Sequence, residues 1–151
     1  MTAGGRAAKF PLFLASATEQ VLATGVSSGF GLEDDAQLTK VYLPKNPTLV
    51  LKQASAVSAT ETERKLKLVS QIMTGVHLAA AAEAMALGVK VGLDAVKLFE
   101  IISTAAGSSA VFVDRTPQWL SGNWNTKKTV DEVIAELVNQ PPMLSVTLYT
   151  D

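Results

Sequence analysis

A lysine, a glutamine and two adjacent serines are the side chains of this sequence best suited to act on a bound molecule. Lys67 and Gln71 stand four residues apart, about one turn of a helix, and Ser108 and Ser109 follow a glycine-containing turn. Amine, amide and hydroxyl groups of this kind can stabilise a carbonyl or carboxylate oxygen of a ligand. The two serines could instead cap the next helix, so both roles stay open for them.

The composition excludes several other kinds of chemistry. The 151 residues include no cysteine and a single histidine, His77. Disulfides, thiolate nucleophiles, cysteine-bound zinc and histidine-rich metal sites are therefore excluded, and we expect no metal. An acidic triplet, 33–35, is interpreted as a helix start, where the helix dipole favours negative charge, with metal binding as the weaker alternative.

Size and charge bound the class of protein. The chain is long enough for one domain with a core, and 48% hydrophobic against 18% charged residues is typical of a well-buried domain or an oligomer. Because the net charge is −1 and no basic block is present, we expect no nucleic-acid partner. Glu83 interrupts the longest apolar run, so we also expect no membrane partner and a soluble, cytoplasmic protein.

One long helix, predicted over 60–87, must position the lysine and the glutamine. Thr60 and Glu63 have the spacing of a capping box at its start. Glu83 lies in an alanine run, where we expect a partly buried acceptor. Apolar residues at helical spacing predict one buried stripe along the whole helix. They are Leu66, Val69, Ile72, Met73, Val76, Ala80, Ala84 and Leu87.

Shorter helices are predicted on both sides of the long one. Before it, residues 1–9 are expected to fray, and Pro11 begins a helix that runs to about residue 28. After it, Asp94 is expected to cap a helix, and Thr129 with Glu132 forms a second capping box. Two short helical pieces are predicted at 111–114 and 117–120. The connector 44–58 is read as extended, with a short strand as the alternative, and 143–151 has strand-like composition.

The long helix also carries a family resemblance. Its segments 67–71 and 75–84 resemble the start of the C-terminal helical domain of the β-hydroxyacid dehydrogenases, which include the 3-hydroxyisobutyrate, 6-phosphogluconate and L-threonate dehydrogenases. The L-threonate branch is the most similar one. Later segments resemble the parts of that domain that follow the long helix. They are 106–115, 120–124 and 130–137.

The order of the segments differs from the family's order. Residues 10–16 and 29–42 resemble its final helices, yet here they precede the long helix. We therefore expect an all-α fold: one helical domain, 1–151, that is a circular permutation of the family's C-terminal domain with the join at 44–58. A remnant of two tandem copies is the alternative. Permutation is tolerated where the original termini lie close together, and the same join could swap segments between two chains.

The resemblance implies roles for individual residues. Lys67 matches the family's catalytic lysine, a general acid/base on the substrate hydroxyl, and Gln71 matches its amide partner. The residues expected to bind substrate are Ser108, Ser109, Ala110, Phe112 and Trp124. Three positions depart from the family pattern: Ala110 replaces its tryptophan, Asp114 replaces an asparagine, and 135–136 reads Ala-Glu in place of the Lys-Asp pair that helps hold the cofactor.

No glycine-rich Gly-x-Gly-x-x-Gly turn follows a strand pattern, so we expect neither the family's nucleotide-binding domain nor a bound cofactor. The favoured hypothesis is a redox-incompetent domain that binds an apolar small molecule. It would catalyse a cofactor-independent cyclisation, isomerisation or cycloaddition by holding the substrate in a near-attack geometry. One alternative is the substrate-binding and dimerisation part of an NAD(P)-dependent dehydrogenase that works with a separate nucleotide-binding chain. The other is a non-catalytic oligomerisation module. A homodimer is expected.

Overall fold

The computed structural model describes residues 2–42, 59–124 and 128–138, and every regular element in these ranges is helical. The all-α prediction is therefore confirmed. A turn with π-helical hydrogen bonds, Val26–Phe30, follows α2 and is broken by the left-handed Gly29, with φ of 90°, and a 3₁₀ turn, Asp35–Leu38, precedes α3. The α-helices are α1 Thr2–Ala7, α2 Phe13–Gly25, α3 Thr39–Tyr42, α4 Ala59–Lys90, α5 Ala95–Thr104, α6 Ala110–Leu120 and α7 Val130–Val138.

Helix α4 is the centre of the fold. Its 32 residues extend about 48 Å at 1.5 Å per residue, and α2, α5, α6 and α7 all pack against it. It ends at a left-handed glycine, Gly92, with φ of 87°. There Leu93 N donates to Gly88 O at 2.9 Å, which closes the last turn. The predicted end near Gly88 was early, because that glycine lies inside the helix under Leu98.

The start of α4 also differs from its prediction. The helix begins at Ala59, so Thr60 lies inside the first turn and the predicted capping box with Glu63 is wrong. Glu61 instead forms ion pairs along the helix, with Arg64 at 3.2 Å and with Lys65 at 3.3 Å. These hydrogen bonds, to Arg64 first and then to Lys65, lower the pKa of Glu61.

The predicted buried stripe of α4 is wrong along almost its whole length. Leu66 is 65% exposed and Val69 is 59% exposed, and five further residues of the stripe, as far as Ala84, are exposed with them; Leu87 is the one that is partly buried. The neighbouring face turns inward instead, because the helix is apolar on more than one side and spacing alone could not choose between the sides. That inner face carries Leu68, Gln71, Gly75, Leu78, Ala81, Met85 and Gly88.

The hydrophobic core lies under the C-terminal half of α4. Ala81 and Met85 meet Phe112 of α6, which is only 3% exposed. The ring of Phe112 stacks on Phe99 of α5, with 5.8 Å between centroids and 26° between planes. Partly buried residues of α5 and α6 close the cluster around this pair. They are Ala95, Leu98, Ile102 and Trp119.

The N-terminal segment joins this body through Glu83. Residues 2–7 form α1, where fraying was predicted, and α2 begins at Phe13 with no side-chain cap of its own. The Glu83 carboxylate supplies the missing acceptors. It accepts from Leu14 N and from Ala15 N, each at 3.0 Å, across more than 65 residues of sequence. The partly buried acceptor expected at Glu83 is thus a helix cap delivered from α4.

The remaining caps follow their predictions. Asp94 accepts from Lys97 N at 2.9 Å, and Asp34 of the acidic triplet accepts from Ala36 N at 3.0 Å. Thr129 and Glu132 form a reciprocal capping box at the start of α7. The two short pieces predicted around 111–120 are one helix, α6, which continues through Pro117. The predictions for 44–58 and 143–151 lie outside the described residues.

Candidate functional site

A pocket of about 600 Å³ lies between the N-terminal half of α4, the start of α6 and the inner face of α7. It is half-open to solvent and combines charged, polar and apolar side chains. From α4 it is lined by Lys67, Gln71, Thr74, Gly75 and Leu78, and from α6 by Ala110, Val111, Asp114 and Arg115. The α7 segment adds Lys128, Val133, Glu136 and Leu137.

Helical spacing brings the polar groups of α4 to one wall. Positions 67, 71, 74, 75 and 78 recur every three or four residues, so they share one face of the helix. An ammonium group, an amide and a hydroxyl thus line up over about two turns, at Lys67, Gln71 and Thr74. The Thr74 hydroxyl donates to Ser70 O at 2.9 Å and so presents acceptor lone pairs to a small polar ligand, while the Lys67 ammonium group presents donors.

Two ion pairs balance most of the charge around the pocket. Arg115 Nε lies 3.4 Å from Asp114 Oδ2, and Lys128 Nζ lies 2.6 Å from Glu136 Oε1. Among the residues that the structure describes, none forms a hydrogen bond or an ion pair with Lys67. Lys67 is therefore the cationic residue of the pocket lining whose charge remains available to neutralise an anionic ligand.

The capping box at the start of α7 lowers the pKa of one carboxyl group near the pocket, that of Glu132. The carboxylate of Glu132 accepts from Thr129 N at 2.6 Å and from Thr129 Oγ1 at 3.0 Å. The backbone hydrogen bond first, and the hydroxyl second, lower the pKa of Glu132 below its ordinary value of 4.5. The carboxylate form of Glu132 therefore helps to hold the start of α7 in place.

Three of the predicted site residues line this pocket and four do not. Lys67, Gln71 and Ala110 are in the lining. Ser109 caps α6, where its Oγ accepts from Phe112 N at 3.1 Å, and Phe112 belongs to the core. Trp124 is 71% exposed, and Ser108 lies in the turn before α6 rather than in the lining. For Ser109, the structure thus shows the capping role that the sequence left open.

Sequence reasoning missed several lining residues. Thr74 lies seven residues after Lys67, and that spacing could have identified it. Lys128 and Leu137 carry no such signal, because only the packing of α7 on α4 brings them to the pocket. The acidic triplet holds a cap at Asp34 and an ion pair from Glu33 to Lys40 at 2.7 Å. Within 2–42, 59–124 and 128–138, no group of three acidic or histidine side chains could hold a metal ion.

Comparison with known proteins identifies the family. Residues 63–137 match the family model described as the NAD-binding domain of NADP-dependent 3-hydroxyisobutyrate dehydrogenase. The chain is 42% identical over 73 residues to an L-threonate dehydrogenase of Cupriavidus necator, and 32% identical over 120 residues to one of Haemophilus influenzae. The chain belongs to the β-hydroxyacid dehydrogenase family.

This β-hydroxyacid dehydrogenase homologue spans only part of its relatives. The two matches cover 48% and 78% of the chain, but 25% and 36% of the respective relatives. An L-threonate dehydrogenase of Escherichia coli K12 matches at 33% identity over 72 residues, with 24% of its length covered. No solved structure matches the chain. The matched range 63–137 holds α4 to α7, and the permuted placement of 10–42 stays a prediction.

Proposed function

We propose that this chain is the substrate-binding and dimerisation part of an NAD(P)-dependent β-hydroxyacid dehydrogenase. The observation that carries the proposal is Lys67 in the pocket wall, with no described ion-pair partner and with Gln71 and Thr74 beside it. The Lys67 side chain would hydrogen-bond the substrate hydroxyl oxygen, accepting the hydroxyl proton as the neutral amine during oxidation and returning it as the ammonium group in the reverse reaction, while the amide and the hydroxyl orient the polar chain. A small hydroxy acid has the oxygen atoms and the negative charge that this lining can bind.

A whole nicotinamide dinucleotide does not fit the described residues. Its pyrophosphate is held in this class of enzyme by backbone N–H groups of a glycine-rich turn between a strand and a helix. The described ranges contain helices and turns only, and the sequence has no Gly-x-Gly-x-x-Gly run. The proposal therefore assigns the dinucleotide to a nucleotide-binding domain outside the described residues, on the open side of the pocket.

The lining gives less support to a cofactor-independent cyclase or isomerase. That hypothesis needs an apolar pocket that folds an apolar substrate, whereas five charged side chains line this one. A non-catalytic oligomerisation module is likewise less favoured, because a cavity lies beside Lys67 where a filled core would be expected. The small side chain of Ala110 in the pocket lining is a feature that would favour a larger, less polar ligand.

Two further parts of the proposal concern assembly and location. The exposed apolar residues of α4, from Leu66 to Val76, support a homodimer formed on that face.

Helix α4 is also long and apolar enough to cross a membrane, by length and composition alone. Mostly buried central helices of soluble proteins meet the same test, but only 17% of the apolar stretch of α4 that meets it is buried. The soluble alternative is therefore supported by kinship with soluble dehydrogenases and by the proposed dimer, which would cover the exposed face. A cytoplasmic location is part of the proposal.

Titration calorimetry with L-threonate tests the function. We expect saturable binding by the full chain and, for Lys67→Ala, an affinity at least about tenfold lower, since a charge-assisted hydrogen bond is lost. Lys65→Ala is the matched control, because Lys65 lies on the same helix, pairs with Glu61 and does not line the pocket. It should bind as the wild type does.

Two results would contradict the proposal. One is an absence of saturable binding for L-threonate and 3-hydroxyisobutyrate alike; the other is an unchanged affinity in Lys67→Ala. NAD⁺ and NADP⁺ are titrated in parallel. Micromolar affinity of the 151-residue chain alone for either nucleotide would contradict the assignment of the dinucleotide to residues outside it.

A further inference from the structure

Helix α7 lies close against α4 at a glycine. A Cβ atom added to Gly75 would lie 2.9 Å from Leu137 Cδ1, 3.4 Å from its Cδ2 and 3.6 Å from its Cγ. The isobutyl end of Leu137 therefore lies against the α4 backbone where Gly75 has no side chain. Only Cδ1 would be closer than van der Waals contact allows, so a small shift of the Leu137 end would admit one methyl group at position 75 but not a leucine side chain.

This contact also determines one wall of the pocket. Gly75 and Leu137 both belong to the lining, and α7 carries two more lining residues, Val133 and Glu136. Glu136 in turn holds Lys128 at 2.6 Å. The adjoining face of α7, with Val130, Ile134 and Val138, is exposed, and Leu137 is itself 37% exposed at the edge of its contact with α4. Within the described residues, α7 thus depends mainly on its inner face for its position against α4.

Local preference does not explain a glycine here. A glycine in a helix interior is less favourable than an alanine, because it loses more backbone entropy on folding. Gly75 lies 15 residues or more from either end of α4, so no cap or turn requires it. Close packing of a neighbouring side chain is the physical reason that remains.

We propose that Gly75 is a positioning residue: by admitting Leu137 against α4, it sets the width of the pocket and the place of Glu136 and Lys128 relative to Lys67. The functional part of this inference rests on the proposed binding of a hydroxy acid. The packing part does not, since it concerns how α7 sits on α4. The two parts can therefore fail separately.

A volume exchange tests the inference. Gly75→Leu places a side chain where Leu137 now rests, and Gly75→Leu with Leu137→Ala moves the same volume from α7 to α4. Ala79→Leu is the control, because Ala79 is an exposed position of the same helix. Two quantities are measured on the full chain: the hydrogen-exchange protection of the α7 amides, and the affinity for L-threonate.

We expect Gly75→Leu to lower both the α7 protection and the affinity by at least about tenfold. The double variant should return both to within about threefold of the wild type, and Ala79→Leu should change neither. Unchanged protection in Gly75→Leu, or a double variant as impaired as the single one, would overturn the inference. If the wild type binds no L-threonate, the proposed function fails while the exchange measurement still decides the packing.

Leu137→Ala is a second variant that tests the same contact if Gly75→Leu does not fold. It removes the contact without adding volume to the interface. We expect reduced protection confined to α7, with α4, α5 and α6 protected as in the wild type. Equal protection of α7 in Leu137→Ala and wild type would also overturn the proposal, because the leucine would then not hold the helix.

Discussion

The two halves of α4 serve different purposes. Its C-terminal half carries the core on one side, where Ala81 and Met85 meet the stacked rings of Phe99 and Phe112, and it caps α2 through Glu83, while its alanine-rich face is exposed. Its N-terminal half has the pocket on one side and an exposed apolar face on the other. One continuous helix therefore links a region that holds the fold together to a region with unfilled binding surface. Mutations in the C-terminal half should mainly lower stability, whereas mutations in the N-terminal half should mainly lower ligand affinity.

The largest expected effect is the loss of stability in Phe112→Ala. The ring is buried against Ala81, Met85 and Phe99, and removing a core aromatic lowers the free energy of unfolding by about 3–5 kcal/mol. Leu66→Ala is the control at the other end, because Leu66 is largely exposed, and it should change stability by less than about 1 kcal/mol. Urea denaturation followed by circular dichroism measures both. Similar losses in the two variants would remove the distinction between the halves.

A smaller effect is expected for Glu83→Ala. The substitution leaves Leu14 N and Ala15 N without their acceptor, and loss of a helix cap lowers stability by about 0.5–2 kcal/mol. Glu83→Gln keeps one acceptor oxygen and should lose less. Hydrogen exchange should show reduced protection in α2, while the pocket residues remain as protected as before. Loss of protection at α7 in Glu83→Ala would mean that the two halves are coupled more tightly than the packing indicates.

The smallest effect is a pH dependence in the pocket half. The pKa of Glu132 is lowered in the folded chain by the backbone N–H and the hydroxyl of Thr129. A carboxyl with a depressed folded pKa adds stability above its unfolded pKa, about 4.5, and loses it as the pH falls through the folded value. In the wild type, the hydrogen-exchange protection of the α7 amides should therefore decrease once the pH drops below about 4.5. Glu132→Gln should remove much of this dependence, and an identical acid profile in that variant would contradict the assignment.

The sequence predicted the elements better than their packing. Local signals were sufficient for the caps at Asp94 and Thr129, because a cap depends on residues three positions apart. The inward face of α4 could not be predicted, since several faces of that helix are apolar and only its neighbours decide which one is buried. The continuity of α6 through Pro117 was missed for a related reason: tertiary packing overrides the preference of proline to end a helix.

The candidate site was predictable to a similar extent. Family resemblance identified Lys67, Gln71 and Ala110 as site residues, and all three line the pocket. Phe112 and Ser109 took structural positions instead, one in the core and one at a cap. Leu137 and Lys128 come from a distant part of the chain, so no local pattern points to them. The sequence predicted the helices, but it did not predict the contacts between them.

The most direct test of the account is a map of amide chemical shifts as L-threonate is added to the full chain. The account predicts saturable shifts in the N-terminal half of α4, at the start of α6 and in α7, that is, around 67–78, 110–115 and 128–137. Residues of α2 and the core between Ala81 and Ile102 should shift little, and Lys67→Ala should need at least about tenfold more L-threonate for the same shifts. Shifts centred on the core or on the exposed apolar face of α4, or an unchanged titration in Lys67→Ala, would contradict it.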